Sequence, residues 1–445
     1  MPRSSFQGAP QPQVLASAPP NLLDRRDLIY GSEIGAWLPD GTPPVNPGTG
    51  IPAKVTNARI PVVRFALHDT FTDLLDPLGN PGQISRADYR NAIIGITQTM
   101  GAVPWLKMLP IAKDLIGTKT GDIWCPPWTG DASGNLPTYK AMLAETRKVY
   151  SGPIIIESNN EMEYACWATW KTQNDGINPG SAGAVNVSKR IGEHYAATMP
   201  QLKKYARDVL GFSQVVLGGY LGISGGTQWG ATITVDGTKP YGYAIGVGAA
   251  DGRRWVTEFN TAVHSAFVTA GSSDWDYVPD FLSMHAYPHG GDFSTATTGY
   301  EFTDLTGYDS ARPDDIAFAF YRNWITVARG LVNGIWTENG PDGLPVGPKI
   351  RFSISEWEAG LSNSGATWSG WTTGGRPEQF YAGWLQMLRG DGAVTGSGTR
   401  YWNANAFLLA SESDTGSSKY YNLVKQDGST QSWYDTFRSF SGAGY

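Results

Sequence analysis

The feature that most constrains this chain is an alternation along its length: short apolar runs that end abruptly in polar residues, separated by longer amphipathic or loop-rich stretches. Eight runs follow one another: "LIYGSEIGAWL", "PVVRFAL", "AVPWLKMLP", "PIIIESNNEMEY", "QVVLGGYLG", "PDFLSMHAYPHG", "IRFSISEWEAG" and "YWNANAFLLAS". Continuous apolar runs of this length suit strands covered on both faces, as in parallel sheets. Between several of them the apolar residues recur with helical spacing. This is seen in "SRADYRNAIIGITQTM" before the third run, "NVSKRIGEHYAATMPQLKKYARDVL" before the fifth, "PDDIAFAFYRNWITVARGLVNGIW" before the seventh and "RPEQFYAGWLQMLRG" before the eighth. The segment "TQSWYDTFRSF" reads as a last helix closing the ring. The pattern predicts a single (β/α)8 barrel over residues 25–445, with long loops on its catalytic face, and such barrels gather active-site residues at the carboxyl ends of the strands. At 445 residues and 41% hydrophobic, the chain has enough material for one large barrel. Residues 1–24, rich in Pro, Gln, Ala and Ser, read as a flexible arm.

Charge and composition exclude several classes of function. The net charge is -6 and the Lys and Arg residues are scattered, so no basic surface for nucleic acid is expected. No apolar run approaches the ~20 residues that cross a bilayer, so no membrane partner is expected, and the opening "MPRSSFQGAPQPQVLASAPP" has no apolar signal-peptide core. Cys125 and Cys166 form no thiol cluster with metal-ligand spacing, and whether they pair is left open. The five histidines are too dispersed for a metal-dependent barrel hydrolase or isomerase, and His285, His289 and Asp292 lack a further strong ligand cluster. No glycine-rich phosphate loop follows the seventh or eighth run. The expectation is therefore no cofactor and no metal.

The polar ends of the runs carry the functional signal. Ile154 to Ile156 suit a barrel wall, and the amides and carboxylates that follow mark where the fourth strand reaches the rim. The seventh run repeats this with Phe352 and Ile354, then Glu356 and Trp357. Glutamates at the ends of nonadjacent strands can face each other across a barrel mouth. Retaining glycoside hydrolysis needs such a pair, with carboxyls about 5–5.5 Å apart: one attacks the anomeric carbon while the other protonates the leaving oxygen and later activates water.

In these motifs and their order the chain resembles clan A of the glycoside hydrolases, family 5 and its relatives. "IIIESNNE" is similar to the fourth-strand signature, and the ending "YYNLVKQDGSTQSWYDTFRSF" to the closing segment of the clan. The resemblance implies Glu161 as acid/base, Asn160 as the amide holding the sugar's 2-hydroxyl, and Glu356 as nucleophile. It also implies Arg64 as the arginine beside the nucleophile, with His285 and Tyr287 as a substrate contact and a hydroxyl bonded to the nucleophile. Where family 5 often has a histidine after the third strand, "PWLKMLP" has none, and Lys107 is the candidate to face the cleft. Glu157 is expected to point inward and pair with Arg64 or a tyrosine. His68 suits the rim, and Trp167 and Trp357, among tryptophans near the predicted face, suit stacking on sugar rings.

The function expected from these residues is retaining cleavage of β-type bonds in a polysaccharide or oligosaccharide, with the long loops favouring endo action. The alternative is a carbohydrate-binding barrel with lost or weak catalysis, such as a phage tail-associated glycan-recognition module. The sugar, the linkage and the oligomeric state are not encoded legibly. Action on polysaccharides suggests an extracellular setting, with a virion-associated one as the alternative.

Overall fold

The computed structural model describes residues 21–34, 59–66, 71–74, 82, 84–108, 116–120, 123–129, 136–159, 187–223, 252–286, 325, 328–357, 384–385, 388, 401–410, 423–424, 429–430 and 434–441. Each of the eight apolar runs contains one strand: β1 Gly31–Ile34, β2 Val62–Ala66, β3 Val103–Met108, β4 Pro153–Ser158, β5 Gln214–Ile223, β6 Phe281–Ala286, β7 Arg351–Trp357 and β8 Asn403–Ala410. Every strand pairs in parallel with the next, and β8 returns to β1, so the sheet closes as a (β/α)8 barrel in chain order. The predicted fold class is the observed one.

The described helices are α1 Arg86–Ile94, α2 Leu136–Val149, α3 Val187–Lys204, α4 Gly252–Thr269 and α5 Tyr434–Ser441. Ser85 caps α1 by accepting from the Asp88 backbone N–H at 3.0 Å, which satisfies one of the donors that a helix start leaves open. Helices α1, α3 and α5 lie in segments read as helical from their spacing, and residues 328–335 are helical within a fourth. Helices α2 and α4 and an antiparallel hairpin of Ile116–Thr120 with Ile123–Thr129 are additions to that reading.

Strand pleating divides the core in two. Outward residues such as Val63, Phe65, Ile154, Ile156 and Leu282 pack under the helices. Inward residues Val62, Val103, Trp105, Ile155, Val216 and Phe281 fill the lower barrel together with Trp402. Leu22 and Leu28 belong to the same inner cluster, so the segment before β1 forms the barrel floor. It is pinned there by Trp402 Nε1 donating to the Leu22 carbonyl at 3.0 Å, and by the Leu22 N–H donating to Gln214 Oε1 at 2.8 Å. Gly218 and Gly219 of β5 give room on either side of the sheet, the first to the floor and the second to the layer under the helices. A Cβ at Gly218 would lie 2.2 Å from the Phe281 ring, and one at Gly219 would lie 2.3 Å from the Phe259 ring.

Candidate active site

The pleat that builds the floor also builds the site. Two residues beyond an inward apolar side chain, the same face of the strand carries a polar one: Val62 leads to Arg64, Trp105 to Lys107, Ile155 to Glu157, and Phe281 to Ser283 and His285. Glu33 of β1 stands level with Arg64 of β2, and Lys107 of β3 with Glu157 of β4. The barrel interior therefore changes from apolar to charged within one turn of the pleat.

Strict alternation would fail at β7, because Ser353 and Glu356 are an odd number of positions apart. A bulge corrects this. Ile354 pairs with Met284 on one side and Ala404 on the other, whereas Glu356 pairs with His285 and Trp357 with Ala406, so β7 holds one more residue than either neighbour. The extra residue lets Glu356 join the inner group. It also places Trp357 in the layer under the helices, fully buried, its ring centroid 6.1 Å from that of Trp384. Trp357, expected as a stacking platform for sugar, is therefore packed in the core: the shift that brings the glutamate inward takes its neighbour outward.

Arg64 organises the group. Its Nε donates to Glu157 Oε2 at 2.7 Å, and its Nη1 donates to both Glu33 Oε2 and Glu356 Oε1. Lys107 Nζ lies 3.6 Å from Glu33 Oε1 and 3.8 Å from Glu356 Oε1. His285 Nδ1 lies 3.1 Å from Glu356 Oε2, and the imidazole meets the Tyr220 ring edge-on at 4.8 Å. Glu157 also accepts from Trp105 Nε1 at 3.1 Å and from Ser283 Oγ. All of these side chains are buried. Burial on its own would lower the affinity of Arg64 for its proton; the charges of Glu157, Glu33 and Glu356 outweigh this and hold it well above its ordinary value. The guanidinium is thus a fixed charge beside Glu356, and the expected pairing of Glu157 with Arg64 is present.

Glu33 was not among the residues singled out from sequence. It sits in a strand of only four residues, too short to show a clear alternation of inward and outward side chains. Burial pushes its carboxyl from 4.5 up to about 7; Arg64 opposes the rise, Glu356 adds to it, and Lys107 and His285 oppose it. A carboxyl whose pKa is higher folded than unfolded holds its proton more tightly in the native state. Its contribution to stability is complete below about pH 4.5 and is lost as the pH rises through about 7, a span worth on the order of 3 kcal/mol. Melting curves from pH 4.5 to 8 should therefore show a loss of stability that Glu33→Gln flattens; parallel curves would contradict the assignment.

Of the residues expected from sequence, the structure brings together Arg64, Lys107, Glu157, His285 and Glu356. Glu161, Asn160, Tyr287, His68 and Trp167 lie outside the described residues. Asn159, which directly follows β4 and precedes Asn160 and Glu161, has φ at 68°, in the left-handed region that Asn tolerates better than most residues. Its side-chain amide is buried and makes no hydrogen bond among the described residues. The backbone therefore turns sharply where the polar rim begins. Among the described residues there is no group of three or more His, Cys, Asp or Glu arranged to hold a metal ion, and no helix is long and apolar enough to cross a membrane.

No protein-family model matches the chain, and no curated protein matches it. Solved structures do. A family 51 α-L-arabinofuranosidase from Bifidobacterium longum is similar at 12% identity, over 96% of this chain and 75% of its own, with a TM-score of 0.48. An endo-laminarinase from Formosa Hel1_33_131 is similar at 13% identity, over 94% and 92%, with a TM-score of 0.47. An endo-β-1,4-mannanase double mutant from Cellulomonas fimi is similar at 12% identity, over 95% and 75%, with a TM-score of 0.43.

Proposed function

We propose that the chain is a retaining glycosidase acting on a polysaccharide or oligosaccharide, with Glu356 as nucleophile and Glu161 as acid/base. The observation that carries this reading is the setting of Glu356: a buried carboxylate at the carboxyl end of β7, bonded to Arg64 Nη1 and faced by His285 Nδ1 at 3.1 Å. A nucleophilic carboxylate must be held still and close to a cation that favours its charged form, and the burial of Glu356 against the Arg64 guanidinium supports that role. In the first half-reaction Glu356 attacks the anomeric carbon and Glu161 gives its proton to the leaving oxygen. In the second, water replaces Glu356, and Glu161 takes the proton from that water. Asn160 comes two residues after β4 and Tyr287 directly after β6, and their proposed roles are to bond the 2-hydroxyl and the nucleophile. His68 and Trp167 are proposed as rim contacts to hydroxyls and to a ring face.

β-Linked polymers are the proposed substrates, cut internally. The test is release of reducing ends from a panel of β-linked polysaccharides, with α-linked polymers alongside. Cutting of one polymer class names the substrate. Binding of a glycan without any cleavage by the wild type would instead make the barrel a recognition module.

A further inference from the structure

Both oxygens of Glu157 are engaged, by donors from three different strands. Oε2 accepts from Arg64 Nε of β2 at 2.7 Å and from Trp105 Nε1 of β3 at 3.1 Å, and Oε1 accepts from Ser283 Oγ of β6. All four side chains are buried, and the double-displacement scheme gives Trp105 and Ser283 no task. In the sheet β5 lies between β4 and β6, and its residue level with Glu157 is Gly218. With no side chain at that position, the Phe281 ring fills the interval. Ser283, two residues further along β6, brings its hydroxyl to a strand that is not its neighbour.

The indole donor is itself fixed. The Trp105 ring meets Phe281 edge-on at 4.9 Å and stacks with Trp402 at 6.0 Å, and Trp402 is bonded to the Leu22 carbonyl. The floor therefore sets the direction in which Trp105 Nε1 donates. The last torsion of a glutamate is soft, so a carboxylate held by one donor can turn. One held at both oxygens from separate strands turns only by breaking a bond to a charged group. The plane of Glu157 matters because a guanidinium is a rigid fork: holding its Nε edge decides where Nη1 points. Arg64 Nη1 donates to both Glu33 and Glu356, so a small turn of the fork changes its bond to Glu356.

We propose that Trp105 and Ser283 are positioning residues for the nucleophile: by fixing the plane of the Glu157 carboxylate they hold Arg64 by its Nε edge, with Nη1 turned toward Glu356. This rests on Glu356 being the nucleophile. It also makes the aromatic floor a part of the site. The connection runs from the Trp402 ring to Trp105, from Trp105 to Glu157, from Glu157 to Arg64 and from Arg64 to Glu356.

Two measurements on the full chain test it. Trp105→Phe removes the indole donor and keeps an aromatic ring in the floor, and Ser283→Ala removes one hydroxyl; should the first variant fold poorly, the second carries the test. In crystal structures of these variants the Glu157 carboxylate should be rotated and Arg64 Nη1 should stand beyond about 3.5 Å from Glu356 Oε1. A guanidinium unmoved in both variants overturns the proposal. This reading needs no activity, so it stands apart from any failure of the glycosidase assignment. On an active substrate, a loosened guanidinium lets Glu356 take up its proton more readily, so the acid limb of kcat/KM should move up by about half a pH unit or more, with the rate recovering at higher pH. A loss equal at every pH would make the two residues merely structural, and the proposal falls. In a Glu157→Gln background, Trp105→Phe should lower kcat/KM by less than about twofold further, because both changes act through one carboxylate. If its effect there is undiminished, Trp105 acts by another route and the proposal is wrong.

Discussion

Glu356→Gln is expected to lower turnover by roughly four orders of magnitude or more, with little change in the folded state. The amide has the shape of the carboxylate and can still accept from Arg64 Nη1, so the barrel mouth keeps its packing. It cannot form the glycosyl ester. Glu161→Gln should be similarly severe for substrates with poor leaving groups and milder for activated aryl glycosides, which depart without a proton. In Glu356→Ala a small anion such as azide can occupy the vacated space, and turnover should return in part with inverted configuration at the anomeric carbon. Undiminished cleavage by Glu356→Gln would remove Glu356 from the mechanism, and azide rescue with retained configuration would place the nucleophile elsewhere.

The second large effect concerns stability. Arg64→Leu leaves Glu33, Glu157 and Glu356 around an apolar side chain, and removal of one partner from a buried ion pair typically costs about 3–5 kcal/mol. Lysine is a poor substitute, because a single ammonium cannot bond Glu157 through one edge and Glu33 with Glu356 through another. The pH dependence identifies the cause. The variant's deficit relative to wild type should be largest near pH 8 and should shrink toward pH 5 as the stranded carboxyls take up protons, the reverse of ordinary acid denaturation. Thermal melts of both proteins at the two pH values measure this, and a deficit independent of pH would point to lost packing alone.

Much of the architecture was legible because barrel strands announce themselves by length and apolarity, and all eight were found in order. The inner group was legible in part for the same reason: period two carries the eye from Val62 to Arg64 and from Ile155 to Glu157. Two things were hidden. The bulge in β7 depends on pairing with both neighbours, which a linear reading of "RFSISEW" does not contain, so Glu356 and Trp357 were both assigned to the cleft. Glu33 was missed because its importance comes from what closes around it: residues 31, 74 and 323 positions along the chain supply Arg64, Lys107 and Glu356. Helices α2 and α4 were overlooked where loop-rich flanks masked their periodicity, although "RRWVTEFNTAVHSAFVT" had the spacing.

The barrel floor has a consequence for how the molecule comes into being. The bond from Trp402 to the Leu22 carbonyl joins positions 380 apart, and the inner cluster draws on β2, β3, β4, β5 and β6 besides these two segments. A nascent chain emerging from the ribosome cannot shut this base until Trp402 has been made, and contacts so distant in sequence form late and slowly. Until then Leu22, Leu28, Trp105 and Phe281 remain an open apolar basin. During that interval, the chain would be most in need of a chaperone.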